Sequence, residues 1–385
     1  MMDGQSSGIH QHWNPGKIIF GPGALSRLTG EMDPQGIPLI VTDPGLVRAG
    51  ILAKLTGLLD RAGRAYACFD QTLPDPPISV VDQASLTYRQ SCCTALVALG
   101  GGSSIDVAKA AAIQVSQTGP LQEYAQRRSF EETLPPIFAV PTTAGTGSEV
   151  TASSIITDPA RARKMVLRDP RLVPRVALLD PTLLSSLPPQ VAAETGADAL
   201  THAVESYVSL NSQILSENLS LRSIQLIGSS LPRFVSFPGQ EKAAGEMLLA
   251  SCLAGMAFTN AGLGLVHALA HGVGARYPAT HGLLCALFLP HVIEFNFASC
   301  PDKYRQIGVG LQAQSGFGNE EARLGIFIQS FLKKLGLPRT YAEAGISFQM
   351  EDEMVDEVLQ SLAWKLNPRP ADREEIRRLF EAPKI

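Results

Sequence analysis

The sequence lacks the cysteine patterns of disulfide-rich proteins and of cysteine-ligated metal proteins. Its six cysteines are scattered over 385 residues, only Cys92 and Cys93 are neighbours, and there is no CxxC pair. Such usage is typical of a reducing compartment. Residues 1–17 also lack the basic and apolar regions of a secretory signal peptide. We therefore expect a cytoplasmic protein.

Long apolar runs and an excess of basic residues are missing as well. No apolar run reaches the roughly 20 residues that a membrane-spanning helix needs. The net charge of -4 gives no basic surface for nucleic acid. We expect neither a membrane nor a nucleic acid as a partner. A hydrophobic content of 45% is sufficient for a large core, and the length is that of about two domains.

The two halves of the chain have different patterns. Up to about residue 185, short apolar strands alternate with amphipathic helices, which is typical of a parallel sheet with crossover helices. The predicted strands are Lys17–Phe20, Pro38–Thr42, Ala65–Phe69, Thr94–Leu99 and Ile137–Val140. Beyond residue 185 we find helical patterns only. We predict a Rossmann-like α/β domain over residues 1–185 and an all-α domain over residues 186–385.

Two polar loops follow strands of the first domain. Gly100–Asp106 (GGGSSID) joins a buried strand to a helix, whose free N–H groups suit a pyrophosphate. Its spacing is not G-x-G-x-x-G, and a plain strand-to-helix turn explains this loop equally well. Pro141–Thr151 (PTTAGTGSEVT) is rich in hydroxyls, which either bind a nucleotide or cap their own backbone. Together, two such loops at neighbouring strand ends favour a nucleotide crevice.

Asp43 directly follows the strand PLIVT. A carboxylate at the end of an early strand can accept hydrogen bonds from a ribose diol and repel a 2′-phosphate, which would favour NAD over NADP. Asp-Pro-Gly is also good turn chemistry, and a turn or helix cap is the simpler interpretation of this residue taken alone.

Histidine is scarce, and most of it is concentrated in the second domain. The chain has 7 histidines, and four of them fall between residues 254 and 296. His202 follows Asp198 by four residues, and His271 follows His267 by four, so each pair would share one face of a helix. A lone histidine on an apolar face is usually a core residue. A shared ion would satisfy several such rings at once, and Asp198, His202, His267 and His281 suit Fe, Zn, Co, Mn or Ni.

In this order and spacing, the motifs resemble the iron-containing (group III) alcohol dehydrogenase family, which includes lactaldehyde reductase. The resemblance covers nearly the whole chain. It is carried by KIIFGPGAL, GGGSSIDVAK, PTTAGTGSEVT, LDPTLLSSLPP and GADALTHAVESY, then by AFTNAGLGLVHALAHGVGARYPATHGLLCALFLPHVIEFN and the late NPR at Asn367–Arg369.

The resemblance implies a role for each matching residue. The metal ligands would be Asp198, His202, His267 and His281. Residues that bind the cofactor would be Asp43, Gly101, Gly102, Ser103, Asp106, Thr142, Thr143, Thr146 and Ser148, with Lys164 and Leu183 nearby. His271 would lie beside the nicotinamide and act as a catalytic proton relay, while Phe258 and Ser153 would line the substrate pocket.

The implied activity is hydride transfer between NAD and the carbinol carbon of a small primary alcohol, or the reverse reduction of an aldehyde. A divalent metal, Fe²⁺ or alternatively Zn²⁺, would stabilise the alkoxide. The resemblance further implies a homodimer or higher homo-oligomer. Two departures are Cys285, where the family often has Asn, and Gly272, where many members have Pro.

Two other readings remain open at this level. The first is a zinc polyol dehydrogenase of the glycerol type or a maleylacetate reductase, in which the metal set varies. The second, of a different class, is a protein that binds a nucleotide or a metal without catalysis.

Overall fold

The computed structural model describes residues 12–13, 16–125, 130–161, 163–311 and 322–384. Two of the seven histidines belong to the N-terminal tail; His10 lies outside these ranges, and His12 Nδ1 contacts the side chain of Gln213 at 2.9 Å.

A six-stranded parallel sheet forms the centre of the first half. In chain order, the strands of this half are β1 (Lys17–Phe20), β2 (Pro38–Val41), β3 (Ala67–Phe69), β4 (Ala95–Gly100), β5 (Ile137–Pro141), β6 (Ser153–Asp158), β7 (Arg163–Arg168) and β8 (Val176–Leu179). The sheet order is β1-β8-β5-β4-β2-β3. Strands β2, β4, β5 and β8 are fully buried, as continuous apolar runs covered on both faces should be. The predicted parallel α/β fold is confirmed.

Strands β6 and β7 form a separate antiparallel hairpin, pairing from Ser153–Arg168 to Asp158–Arg163. The sequence analysis missed this hairpin and also β8. The hairpin mixes polar and apolar residues on both faces, with Ile155 and Val166 on the outer side, and β8 is only four residues long. A run of that length has no period that separates a strand from a loop or a helix turn.

The helices of the first half cover the sheet. They are α1 (Leu28–Glu31), α2 (Pro44–Arg48), α3 (Ile51–Arg61), α4 (Ile78–Gln90), α5 (Gly102–Ser116) and α6 (Leu121–Ala125). The segment from Val47 to Leu59, which reads as one helix in the sequence, is interrupted between α2 and α3. Gly50 has a φ of 71° there, a conformation that glycine adopts readily and other residues rarely adopt.

Helices are the only regular elements among the described residues of the second half, apart from short 3-10 turns, as predicted. Its helices are α7 (Pro189–Val208), α8 (Ile214–Ser236), α9 (Glu241–Ala261), α10 (Leu265–Gly274), α11 (His281–Asn296), α12 (Pro301–Gly310), α13 (Ala322–Lys334), α14 (Asp352–Gln360), α15 (Leu362–Leu366) and α16 (Arg373–Glu381). From Gly196 to Val208, α7 is buried on every side. The chain turns by 101° between α9 and α10, which sets α10 across the bundle.

The core continues from the sheet into the helices. Alternate residues of β4 point to opposite faces. Val97 and Leu99 join the cluster that contains α7 to α11. Leu96 and Ala98 join the cluster beneath α4 and α5. The helical half is therefore packed against one face of the sheet, and a cleft forms where the two halves meet.

One helical segment, His281–Ser299, is long and apolar enough by composition alone to cross a membrane. In the fold, 67% of its apolar window is buried. That burial, against the other helices, already accounts for its composition, so the segment is weak evidence for a membrane span.

Candidate metal centre and nucleotide cleft

Helix α7 presents three polar side chains on one face. Asp198, His202 and Glu205 occupy positions i, i+4 and i+7 and are almost fully buried. Spacing of this kind aligns side chains along a single stripe of a helix. Because α7 is buried on every side from Gly196 to Val208, these three groups must find their partners on other segments of the chain.

Helices α10 and α11 supply those partners. His267 stands in the first turn of α10, and His281 is the first residue of α11. Their Nε2 atoms lie 3.8 and 3.6 Å from Asp198 Oδ1. The Nε2 atom of His202 lies 3.7 Å from the same oxygen. The structure thus brings all four sequence-predicted ligands together around one carboxylate oxygen.

Contacts at the Nδ1 atoms, on the side of the ring away from Asp198, orient two of the three imidazoles. Glu205 Oε2 lies 2.5 Å from His267 Nδ1, and the same carboxylate accepts the backbone N–H groups of Gly264 and Val266 at 2.9 and 2.6 Å. A Cβ at Gly264 would lie 3.0 Å from the Glu205 carboxylate, so glycine leaves room for this contact. On the opposite side, His202 Nδ1 lies 3.3 Å from the carbonyl oxygen of Gly145.

The electrostatics keep a negative charge at the centre of the cluster. Burial acts to raise the pKa of Asp198, but the neighbouring imidazoles outweigh it and hold that pKa well below its usual range. Burial lowers the pKa of His202 to about 4. A carboxylate beside a neutral imidazole is a donor set that suits a divalent transition ion.

An unpaired buried atom tests whether the residues fit a metal. His267 Nε2 is buried and has no hydrogen-bond partner among the described residues, although His267 is only 2% exposed. Buried polar atoms are normally paired. This atom points toward the oxygen of Asp198, so an ion between the two would satisfy both. The residues fit a metal centre of three nitrogens and one oxygen.

Cys285 also reaches this cluster. The ligand atoms of Asp198, His267, His281 and Cys285 all lie within 4.8 Å of one another. His202 is not a member of that group of four; its ring stacks between those of Phe258 and His267, with centroids 4.5 and 4.6 Å away. The sequence analysis gave Cys285 no role.

The two glycine- and hydroxyl-rich loops meet at one end of the sheet. Gly100 of β4 is in register with Pro141 of β5, and α5 begins at Gly102. A Cβ on Gly101 would lie 3.1 Å from Thr143 Oγ1, and one on Gly102 would lie 2.8 Å from Thr146 Cγ2. The loops therefore form a single surface at the start of a 15-residue helix, where backbone N–H groups are free to bind an anion.

The other predicted cofactor residues surround this surface at different depths. Asp43 follows β2, and its Oδ1 accepts the N–H groups of Gly45 and Leu46 at 2.8 and 3.1 Å. It is thus the N-cap of α2, as the simpler interpretation expected. Lys164 on β7 forms an ion pair with Asp75 at 2.6 Å, while Leu183 is buried in the core. Ser103 lies in the first turn of α5, and Thr142 begins the loop after β5.

A buried lysine, missed in the sequence analysis, organises the floor of the cleft. Lys109 of α5 is fully buried. Its Nζ donates to the carbonyl oxygens of Ser148, Thr151 and Ser153 at 2.6, 2.8 and 2.9 Å. Burial lowers the pKa of Lys109 to about 8, with the carboxylate of Asp106 opposing the shift. Lys109 lies seven residues after Gly102, where α5 begins, and this spacing matches no binding motif. Its role is therefore not evident from the sequence.

A cavity of about 260 Å³ connects the metal cluster to these loops. It is smaller than the pockets of about 300–1,000 Å³ that hold drug-sized ligands. Its walls come from both halves of the chain and include Asp106, Thr146, Ser148, Ser153, Asp198, His202, Phe258, His267, His271 and His281. The two predicted pocket residues, Phe258 and Ser153, therefore face the same space as the four predicted ligands.

His271 lies at the edge of the cluster. Its ring stacks on His281 with centroids 5.2 Å apart. Burial, followed by the neighbouring His281, holds the pKa of His271 well below its usual value. Gly272, the next residue, would place a Cβ only 3.2 Å from Phe380 Cζ, so a larger residue at 272 would press on that ring.

The fold and this cleft together define an oxidoreductase with a nucleotide domain and a metal centre. Comparison with known proteins agrees. The family model for iron-containing alcohol dehydrogenase matches residues 15–181, and the model for the C-terminal part of the Fe-containing alcohol dehydrogenase family matches residues 192–383. The chain belongs to the iron-containing alcohol dehydrogenase family.

Individual relatives show how far the similarity extends. Lactaldehyde reductase of Escherichia coli (strain K12) is 38% identical over 373 residues, which cover 94% of this chain and 96% of that protein. The NAD-dependent methanol dehydrogenase of Bacillus methanolicus is 33% identical, with coverage of 95% and 98%. A solved structure of 1,3-propanediol oxidoreductase has a TM-score of 0.92 at 33% identity and covers 97% of this chain and 100% of its own. The protein is an NAD(P)-dependent enzyme that interconverts alcohols and aldehydes, as the sequence predicted.

Proposed function

We propose that this enzyme oxidises small primary alcohols, or reduces the corresponding aldehydes, in the cavity between its two halves. The observation that carries the proposal is the convergence of three imidazole Nε2 atoms, 3.6–3.8 Å from Asp198 Oδ1, on a cavity that the hydroxyl-rich loop also lines. When bound, the ion supplies polarisation of the substrate oxygen and the nicotinamide supplies the hydride acceptor.

In this proposal, Asp198, His202, His267 and His281 hold Fe²⁺ or Zn²⁺. Glu205 keeps the proton of His267 on Nδ1, so that Nε2 faces the ion. Gly145 has the same effect on His202 through its carbonyl oxygen. Because Gly145 belongs to the loop after β5, the metal centre and the nucleotide loop are coupled by a direct contact.

The nucleotide would lie across the carboxyl ends of β2, β4 and β5. The backbone of Gly101, Gly102 and Ser103 would bind the pyrophosphate at the start of α5. Asp43 would accept from the adenosine ribose and favour NAD over NADP. The remaining contacts would come from Asp106, Thr142, Thr143, Thr146 and Ser148, with Lys164 and Leu183 nearby.

His271 would carry the hydroxyl proton away from the substrate. Its ring faces the cavity beside His281, and a neutral imidazole at this place can accept a proton. Phe258 and Ser153 would form the wall against the carbon chain of the substrate. The small volume and the aromatic wall favour short alcohols.

Three wider features of the proposal come from the sequence and the family. We place the domain boundary at residue 185, between the nucleotide-binding and metal-binding parts. We infer a homodimer or higher homo-oligomer. We also infer a cytoplasmic enzyme, an assignment supported by six free cysteines.

The test is the appearance of NADH with C2–C6 alcohols and diols, and its consumption with aldehydes, before and after chelation. We expect turnover that disappears when the metal is removed and returns when Fe²⁺ or Zn²⁺ is added back. Binding of NAD and metal without turnover on any of these substrates would instead support the non-catalytic alternative. Turnover that survives complete metal removal would contradict the metal-dependent mechanism.

A further inference from the structure

Cys285 is placed like a ligand. Helix α11 holds it one turn after His281, with Sγ 3.7 Å from His281 Nε2 and 3.8 Å from Asp198 Oδ1. Its side chain is fully buried. The sulfur therefore lies beside the nitrogen and oxygen donors of the cluster.

The distances agree with a shared ion. With zinc–nitrogen bonds of about 2.1 Å and zinc–sulfur bonds of about 2.3 Å, bond angles of about 90–110° separate nitrogen from sulfur by about 3.1–3.6 Å. The observed 3.7 Å between Cys285 Sγ and His281 Nε2 is close to the upper end of this range. Both atoms also lie 3.6–3.8 Å from Asp198 Oδ1, so an ion shared by the three would replace the weak contact that the thiol donates to this oxygen.

A second observation shows that the space between these atoms requires a ligand. His267 Nε2 is buried and unpaired among the described residues, and it lies with Cys285 Sγ in the group of atoms that are all within 4.8 Å of one another. An ion at the centre of this group would contact the unpaired nitrogen and the sulfur together.

We propose that Cys285 Sγ is a ligand of the metal and biases the site toward the softer ions Zn²⁺ and Co²⁺ relative to Fe²⁺. The inference rests on the proposed metal centre. Coordination forms one sulfur–metal bond and releases the thiol proton to solvent. Thiolate is a soft donor that favours zinc, whereas an asparagine at the same place would offer only a hard amide oxygen.

The experiment uses the cobalt-substituted protein, because a sulfur–cobalt bond has its own near-ultraviolet charge-transfer absorption. Metal-free protein is titrated with Co²⁺, and spectrum and bound cobalt are measured together. We expect the sulfur–cobalt band in the wild type. We expect bound cobalt without that band in Cys285→Ser and Cys285→Asn. Cys93→Ser, which changes a buried thiol in the α/β half, serves as the matched control and should keep the band.

Competition between ions gives a readout of selectivity. The ratio of Zn²⁺ to Fe²⁺ affinity, measured by anaerobic competition and metal analysis, should fall at least about tenfold in Cys285→Asn, since even partners outside the ligand set change affinity 10- to 100-fold. An unchanged ratio would overturn the proposed bias.

The spectral outcomes separate this inference from the proposed function. Cobalt bound by the wild type without a sulfur band would overturn the role of Cys285 and leave the four-ligand set standing. No cobalt binding at all would overturn both proposals. A band that persists in Cys285→Ser would assign the sulfur to another cysteine and refute the inference. Because the wild-type spectrum is itself decisive, a variant that fails to fold does not prevent the test.

Discussion

The two walls of the cleft each contain a buried polar cluster, and the clusters differ in how their atoms are paired. Around Lys109, the buried ammonium has three carbonyl partners at 2.6–2.9 Å. Around Asp198, the three imidazole Nε2 atoms lie 3.6–3.8 Å from Oδ1, and His267 Nε2 has no partner among the described residues. The ammonium at the centre of the first cluster is hydrogen-bonded within the protein. The atoms around Asp198 in the second cluster would be paired only when a ligand binds between them.

The largest effect should follow from a change in the Asp198 cluster. His267→Ala removes the ring that points its unpaired nitrogen at Asp198. We expect metal content to fall with turnover, because one of four donors is lost and Glu205 is left buried without its imidazole partner. Metal analysis and NADH formation check this on the same sample. Full turnover in metal-free His267→Ala protein would show that the cluster is not a metal centre.

Asp43 tests whether a carboxylate that already caps a helix can also bind the cofactor. Its carboxylate already caps α2, so Asp43→Asn should keep the cap while removing the charge. Two like charges about 4 Å apart repel by roughly 1–4 kcal/mol. We therefore expect the preference for NAD over NADP, measured as a ratio of kcat/KM values, to fall by about 10- to 1000-fold.

Asp43→Gly provides the comparison for the cap itself, and it should relax the cofactor preference to a similar extent at a small further loss of stability. A wild-type enzyme that prefers NADP would refute the assignment. An unchanged ratio in both variants would leave Asp43 with capping as its only role.

Substitutions in the Lys109 cluster should displace the loop that binds the cofactor and lower the stability of the fold. Lys109→Met removes the buried donor shared by three carbonyl oxygens, which should lower the free energy of unfolding by about 1–3 kcal/mol. Because Ser148 and Ser153 would lose their anchor, we expect KM for NAD to rise more than kcat falls. Metal content should stay near that of the wild type. Lys54→Met, on the exposed side of α3, is the matched control for loss of a lysine.

Loss of metal from Lys109→Met in proportion to the loss of activity would show that the Lys109 and Asp198 clusters depend on each other. That result would contradict the separate roles assigned to them here.

The last prediction concerns stability as a function of pH and leaves the activity aside. Burial raises the pKa of Glu149, beside Lys109 in the fold, from 4.5 to about 7. A raised acid pKa means that the folded state favours the protonated form, so this group stabilises the fold below pH 4.5 and loses that contribution as the pH rises to about 7. We expect the difference in unfolding free energy between wild type and Glu149→Gln to change across this interval. Denaturant titrations at pH 4.5, 6 and 8 measure it, and a constant difference would contradict the assigned shift.

The sequence predicted those parts of the fold and of the site whose residues recur with the period of a helix or form a continuous apolar strand. Asp198 with His202, and His267 with His271, were visible because a helix brings residues four apart to one face. The same spacing could have identified Glu205, because it lies on the face of α7 that carries Asp198 and His202, about one turn after His202. The continuous apolar runs of β2, β4 and β5 likewise identified a parallel sheet.

Contacts between distant segments were beyond such patterns. Nothing in the sequence links Lys109 to Thr151 or Cys285 to Asp198, because those pairs depend on how α5 meets its loop and how α11 crosses α7. The hairpin of β6 and β7 was missed for a related reason. Its alternation of buried and exposed positions is clear only once the buried side is known.

The central claim is that one ion, held by residues of the helical half, completes the cluster around Asp198. The most direct measurement is anomalous diffraction from crystals of the metal-loaded enzyme at the absorption edge of its metal. The account predicts a strong peak about 2.0–2.3 Å from Asp198 Oδ1 and from the Nε2 atoms of His202, His267 and His281. A peak elsewhere in crystals of active, metal-containing enzyme, or no peak at this position, would contradict it.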